Sequence, residues 1–365
     1  MVESGELPKG TVRYPAEFVK EFAYKVFASV GVPDEDCKLI SEVLISADLR
    51  GIRSHGAARL TFFMVRLGNG VINNKPKMIF NRGSNTTGTL DADNALGIIS
   101  SNRAMEEALS MAEEHGSGFV AVRNSNHFGY AGYWAKKAME RGFIGISMSN
   151  GGRRSTATFG AEAIFGTNPM SVAIPGGPEK TDFHLDMATS TVAVGKIETA
   201  LREGKKIPKG WVPEAYGEPS LNEKSILNYD VPLLPLGGEG DSTGGHKGYG
   251  LSLMVDLLCG VLAGSNLEER MAGAGGNSKA GTGHFMGAIK LEGFRSPSLI
   301  HDEMSEMFST IRNSKKVEGE DKIYIHGEPE KFSEEENLKL GVPITPPIRE
   351  QMIELNKELG LGYEL

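Results

Sequence analysis

Residues 118–148 read GFVAVRNSNHFGYAGYWAKKAMERGFIGISM. Gly118 to Arg123 is a short apolar run of the length of a buried strand, and Phe143 to Met148 is a second. Between them, Tyr130 to Arg141 carries the pattern of a helix. A strand–helix–strand order predicts a crossover unit of an α/β protein. Polar residues cluster just after the first strand, in Asn124-Ser125-Asn126-His127, where open α/β sheets place their ligands.

Further strands are expected at Met170–Ile174, Asp182–Met187 and His284–Lys290. Helices are expected at Ala104–Glu114, Tyr249–Ala263, Ser296–Arg312 and Pro347–Leu359. Before this region the chain reads as helical. Phe18, Phe22 and Val26 recur every four residues after Pro15, and Pro33-Asp34-Glu35-Asp36 opens a second helix that ends at Gly51. Residues 204–245 are rich in Gly, Pro and charge without a period, and Gly237–Gly245 reads as a flexible lid. The fold class is therefore α/β. Residues 1–75 form a helical N-terminal region packed with 340–365. Residues 76–130 with 300–339 form a substrate-side α/β region, and 131–299 form a cofactor-binding domain.

Composition narrows the function. With 47 acidic against 39 basic residues, the chain lacks the charge excess of a nucleic-acid binder. Its two cysteines, Cys37 and Cys259, fit no metal or redox spacing and read as buried thiols of a reducing, cytoplasmic protein. No apolar leader is visible at the N-terminus. The most apolar stretch, Gly250–Gly264, is too short to span a bilayer and reads as a buried core helix. No G-x-G-x-x-G, P-loop, H-E-x-x-H or G-x-S-x-G motif occurs, so a standard Rossmann fingerprint is missing.

Four constellations carry candidate chemistry. Arg50-Gly51-Ile52-Arg53-Ser54-His55-Gly56, followed by Arg59, joins a carboxylate clamp to a proton donor, or else is a capping turn with surface arginines. His127 follows a strand, while Ser125 or Asn126 offers a cap for the next helix. Asp186, at a strand end before Met187-Ala188, is placed to orient a histidine, to bind a ribose hydroxyl, or to cap the helix after it. Gly244-Gly245-His246-Lys247 enters a helix and offers backbone N–H groups and a cation to an anion. His115, His184, His284, His301 and His326 share no metal-ligand spacing and are expected to be structural or solvent-facing; no metal site is read.

Taken in order, ADLRGIRSHGAARL (47–60), NSNHFGYAGYWA (124–135), FGTNPMSVAIP (165–175), DMATSTVAVGKI (186–197) and GHKGYGLSLMVDLLCGVLAG (245–264) resemble the malate/L-lactate dehydrogenases with a non-Rossmann cofactor fold. That family is related to sulfolactate, ureidoglycolate and diketogulonate oxidoreductases and to cyclic imino acid reductases. The resemblance spans about residues 15 to 330. It implies a mixed-sheet cofactor domain, a homodimer, and NAD, or NADP, as cofactor. His55, or His127 in its place, is implied as the proton-transfer residue. Ser54, Arg50 and Arg59 are implied in the substrate pocket. Asn150, Gly151, Asp186, Met187, Ala188, Lys247, Gly327 and Glu328 are implied at the cofactor. One departure stands out: Arg53 occupies a position where many relatives carry an acid, which favours a substrate with a second anionic group. The expected reaction interconverts a small 2-hydroxy acid and its 2-keto acid, malate first. An inert binding scaffold is the reading from another class.

Overall fold

The computed structural model describes residues 7–193, 197, 207–213, 231–266, 269 and 279–365. The chain opens with β1 (Val12–Tyr14), α1 (Ala16–Ser29) and α2 (Asp34–Leu49). Pro15 and Pro33 stand at the two N-caps, and Asp34, Glu35 and Asp36 place negative charge where the α2 dipole favours it. Two short 3₁₀ turns, Arg53–His55 and Ala57–Arg59, lead into α3 (Leu60–Gly68).

The remainder is built on one sheet. Its strands are β2 (Ile79–Arg82), β3 (Thr87–Asp91), β4 (Ser117–Ser125), β5 (Phe143–Ser149), β6 (Met170–Ile174), β7 (Phe183–Met187) and β8 (Thr282–Lys290). They lie in the order β2-β3-β4-β8-β5-β6-β7. Only β3 and β4 pair in parallel; every other neighbouring pair is antiparallel. The sheet is thus mixed. Its unbroken pairing runs through both 76–130 and 131–299. The expected crossover takes a split form: β4 and β5 run the same way, joined by α5 (Ala131–Met139), with β8 inserted antiparallel between them.

α4 (Gly97–His115) and α5 cover the sheet. Trp134, Leu109, Met105, Val120 and Met286 lie in a core shared with Phe22, Phe27 and Phe63 of the N-terminal helices. The chain ends in α6 (Gly245–Asp256), α7 (Pro297–Asn313), α8 (Glu328–Leu340), β9 (Val342–Ile344) and α9 (Pro346–Leu359). β9 pairs with β1, Val12 opposite Ile344, and Tyr363 stacks edge-on against Phe18 and Phe22. The N-terminal helices therefore pack with the last residues of the chain.

Two expectations change. The helix expected at 249–263 is α-helical only to Asp256 and continues as a π-helical turn, Leu257–Val261. It is also not fully buried. Val255 and Cys259 face the interior, whereas Leu257 is 48% and Val261 62% exposed, since no described element covers the outer face. Of the Gly- and Pro-rich stretch 204–245, residues 204–206 and 214–230 lie outside the described residues. Gly237–Gly244 forms turns packed on the start of α6, where a Cβ on Gly245 would come within 2.0 Å of the Gly238 carbonyl oxygen. This close approach leaves no room for a side chain at Gly245.

Candidate active site

The first histidine is set by a helix end. Gly51, with φ 75°, stops α2, and the Ile52 N–H returns to the Ala47 carbonyl at 2.8 Å. The chain then makes its two 3₁₀ turns. His55 lies at the end of the first, its Nδ1 2.9 Å from Ser54 Oγ. Arg59 donates from Nε to the Ser54 carbonyl at 2.7 Å.

The second histidine is set by a strand end. Asn124 takes the left-handed conformation (φ 54°), which short polar side chains tolerate, and the β4–β8 register shifts there. Ser125 and Asn126 do not cap α5. The Ser125 hydroxyl lies 2.7 Å from His284 Nε2. Asn126 donates to the Ala95 carbonyl at 2.9 Å and accepts from Arg66 at 3.1 Å. His127 follows on this anchored backbone, and its ring lies edge to face with Phe62 and Phe63.

These two unrelated pieces of chain bring His55 and His127 together, stacked with centroids 5.5 Å apart and planes 25° from parallel. His127 Nδ1 accepts the Gly129 N–H at 3.2 Å, so the neutral ring carries its proton on Nε2. Both rings are held neutral. Burial draws His55 down to about 3, with Arg59 adding to the effect. Burial likewise takes His127 well below the ordinary value, helped by Arg59, His55, His284 and Arg66. Arg59 and Arg66 lie over the two sides of this corner through the Phe62 ring, at 5.9 and 5.7 Å. Arg66, 3% exposed, has no counterpart among the residues singled out from sequence.

A second cluster forms at the end of β7. Asp186 does cap a helix, but an earlier one: Gly132 N–H, in the first turn of α5, donates to its Oδ2 at 2.9 Å. Burial raises this carboxyl to about 6 against the pull of that hydrogen bond. His184, two residues back on the same face, accepts from Arg50 at Nδ1 (3.1 Å). Arg50 also donates to Glu334 at 2.8 Å, so the guanidinium sits in a buried bridge rather than beside the stacked rings. His184, expected to be structural or solvent-facing, does not face solvent: it is 6% exposed, and its Nε2 has no hydrogen-bond partner. Gly327 (φ 98°) rests on it, where a Cβ would be 2.8 Å from the His184 Cβ. Glu328 accepts from Ile325 N–H and from Arg312, closing that turn.

A third cluster joins β5 to α6. Asn150 donates to Asp256 at 3.2 Å and accepts from Gly283 N–H at 2.7 Å. Asn168 donates to the other Asp256 oxygen at 3.0 Å and accepts from Gly151 N–H at 3.3 Å. Lys247 is exposed in the first turn of α6. Phe165 packs on Tyr249, tying the loop after Asn150-Gly151 to that helix. In this loop the buried hydroxyls of Ser155, Thr156 and Thr158 have no partner. Met187 and Ala188 are half-buried between the second and third clusters. No group of three metal-ligating side chains occurs among the described residues.

The mixed sheet thus carries paired imidazoles beside two arginines, an arrangement suited to proton transfer on a small anionic substrate. The chain belongs to the malate/L-lactate dehydrogenase family, whose model matches residues 14–353. It is 40% identical to a malate dehydrogenase of Pyrococcus abyssi, with all of both chains covered. It is 36% identical to an L-sulfolactate dehydrogenase of Methanocaldococcus jannaschii, covering 94% of this chain and 96% of that one. Among solved structures, malate dehydrogenase from Pyrococcus horikoshii superposes with a TM-score of 0.89 at 37% identity, covering 99% of each chain.

Proposed function

We propose that this protein is a nicotinamide-dependent dehydrogenase that interconverts malate and oxaloacetate. The observation that carries the reading is the stacked His55–His127 pair flanked by Arg59 and Arg66. Similarity to two archaeal malate dehydrogenases supports the substrate. Arg53, beside this turn, favours a substrate with a second anionic group over lactate.

A bound nicotinamide supplies the hydride acceptor or donor. The chain's residues do the rest. His127, with Nδ1 occupied by Gly129, presents Nε2–H to the substrate oxygen. To His55 we assign the tautomer that donates Nδ1–H to Ser54 Oγ, 2.9 Å away, which leaves a lone pair on Nε2 to take the hydroxyl proton in oxidation and return it in reduction. A substrate carboxylate on Arg59 offsets the cation that helps depress His55 and so raises its basicity at the moment of binding. Asn150, Gly151, Asp186, Met187, Ala188, Lys247, Gly327 and Glu328 line the cofactor. The start of α6, with Gly244 at its N-cap, no side-chain cap and Lys247 in its first turn, fits a phosphorylated nucleotide. Arg50, bridging His184 and Glu334, holds the strand that carries Asp186 and Met187. NAD is the cofactor we propose, with NADP the alternative the absorbance test distinguishes. The exposed stripe of Leu253, Leu257 and Val261 is the face of an apolar helix and supports a homodimer. Two free, buried thiols support a cytoplasmic location.

The test is the loss of NADH, then NADPH, absorbance with oxaloacetate, sulfopyruvate, pyruvate and a cyclic imino acid. Fastest loss with NADH and oxaloacetate is expected. Replacing His55 by Ala should lower kcat by about 10²–10⁴-fold with NADH affinity kept. Turnover of none of the four compounds would overturn the reading in favour of a non-catalytic scaffold.

A further inference from the structure

The turn that carries His55 stands on one buried carboxyl. Asp48, in the last turn of α2, is 1% exposed. Its Oδ2 accepts the Ala57 N–H at 2.8 Å. A Cβ on Gly56 would lie 2.0 Å from Oδ1 and 2.3 Å from Oδ2, so the carboxyl fills the space beneath that glycine. The Asp48 main-chain carbonyl accepts from Gly51 N–H at 3.1 Å and from Asn337 at 3.4 Å. Neither 3₁₀ turn has a side-chain cap at its start; Asp48 holds their junction through the Ala57 N–H, alongside the bond from Arg59 to the Ser54 carbonyl. His55 is the residue immediately before that junction. Burial holds the carboxyl up at about 7, against the Ala57 N–H and Arg53. A group this costly to bury apart from water is otherwise replaced by an apolar side chain.

We propose that Asp48 is a positioning residue for the dehydrogenase reaction: by holding the Ala57 N–H and the underside of Gly56, it sets where the His55 imidazole stands against His127. This rests on the roles assigned above to the two rings. Asp48 touches neither substrate nor proton; it acts through the backbone of residues 55–57.

The experiment compares Asp48→Ala with Asp48→Asn, which keeps an acceptor for the Ala57 N–H. Three quantities are read: kcat for oxaloacetate reduction, the NADH Kd by fluorescence, and the His55 ring-proton resonance in histidine-labelled protein. Asp48→Ala should lower kcat by roughly 10²-fold, as expected for a reacting group displaced by about 1 Å. The NADH Kd should stay within about 2-fold, because only transition-state contacts are lost. The resonance should move, and Asp48→Asn should return kcat to within about 3-fold of the parent. The role of Asp48 is overturned by an unmoved resonance, by a loss shared equally with NADH affinity, or by an Asn variant as poor as Ala. Should Asp48→Ala not fold, Gly56→Ala presses on the same carboxyl from the other side. It should lower kcat with NADH binding kept, and a normal kcat overturns the proposal. The resonance reports the place of His55 without turnover. A moved resonance in Asp48→Ala, combined with normal turnover in both His55→Ala and His127→Ala, would instead overturn the roles given to the two rings.

Discussion

Gly97→Ala should disable the enzyme without touching a reacting group. Gly97 is the first residue of α4, and its Cα lies against the backbone of Asn126 and His127. A Cβ there would sit 2.0 Å from the Asn126 carbonyl oxygen and 2.6 Å from the His127 carbonyl carbon and oxygen. These are backbone atoms and cannot swing aside as a side-chain tip does. To reach ordinary contact, the peptide must retreat by about 1.4 Å, and His127 travels with it. Overpacking of this kind costs about 1–3 kcal/mol of stability, which a folded chain of this size tolerates. A displacement of about 1 Å at a reacting group costs roughly 10²-fold in rate. The assay is kcat for oxaloacetate reduction at saturating NADH, alongside the NADH Kd and a thermal melt. We expect kcat to fall by about that factor while the Kd stays close to the parent's. If Gly97→Ala lowered the melting temperature yet kept kcat within about 2-fold, the coupling of α4 to His127 would be wrong.

Three further outcomes follow from the buried charges. Arg50→Met should destabilise the fold by about 2–3 kcal/mol in urea denaturation, less than a fully buried pair because Glu334 is 26% exposed. Adding Glu334→Gln should recover part of that loss, and strict additivity of the two changes would refute the bridge. Stability should fall as pH rises through neutrality on account of Asp48: a carboxyl raised to about 7 from 3.8 retains a proton that the unfolded chain gives up, so its contribution is whole below 3.8 and lost through 7. Asp48→Asn should therefore gain more in melting temperature, relative to the parent, at about pH 8 than at about pH 5; an equal gain at both would refute this sign. His284, buried between Ser125 and Ser149 and drawn down to about 3 from 6.5, acts in the opposite sense. Its contribution is whole above 6.5 and lost as pH falls toward 3, so replacing it by Gln should flatten the acid limb of the melting profile.

Much of the architecture was legible because it is local. Met170–Ile174 matches the expected strand, and the helix opened by Pro33 and its three acids begins at Asp34. Other elements carried no such signal. β2 shows mostly exposed residues, and α8 is a run of charges with Asn337 its one buried residue, so neither displays an apolar period. Strand order was illegible for a different reason: nothing within Thr282–Lys290 says that it pairs with both β4 and β5. The site divides in the same way. His55 and His127 stand out because each follows the end of an element among glycines and polar residues. Their stacking is a tertiary fact. Arg66 reads as one more helix residue, and its burial against Asn126 depends on a strand end sixty positions away. His184 has no metal-ligand spacing to single it out, although it shares a strand face with Asp186 at the end of β7. The destination of Asp186 could not be read, because the helix it caps precedes it in the chain.

The place of β8 has a consequence for how the molecule is made. β4 and β5 each give one full edge to β8, and both exist long before Thr282 has been synthesised. Until then the growing chain holds two apolar strands and no partner for the edges between them. Unpaired edges of this kind invite pairing with a neighbour on the same messenger. The middle of the sheet therefore cannot close until residue 290 has been made, and its completion is a long-range event separate from the local turns that carry the two histidines.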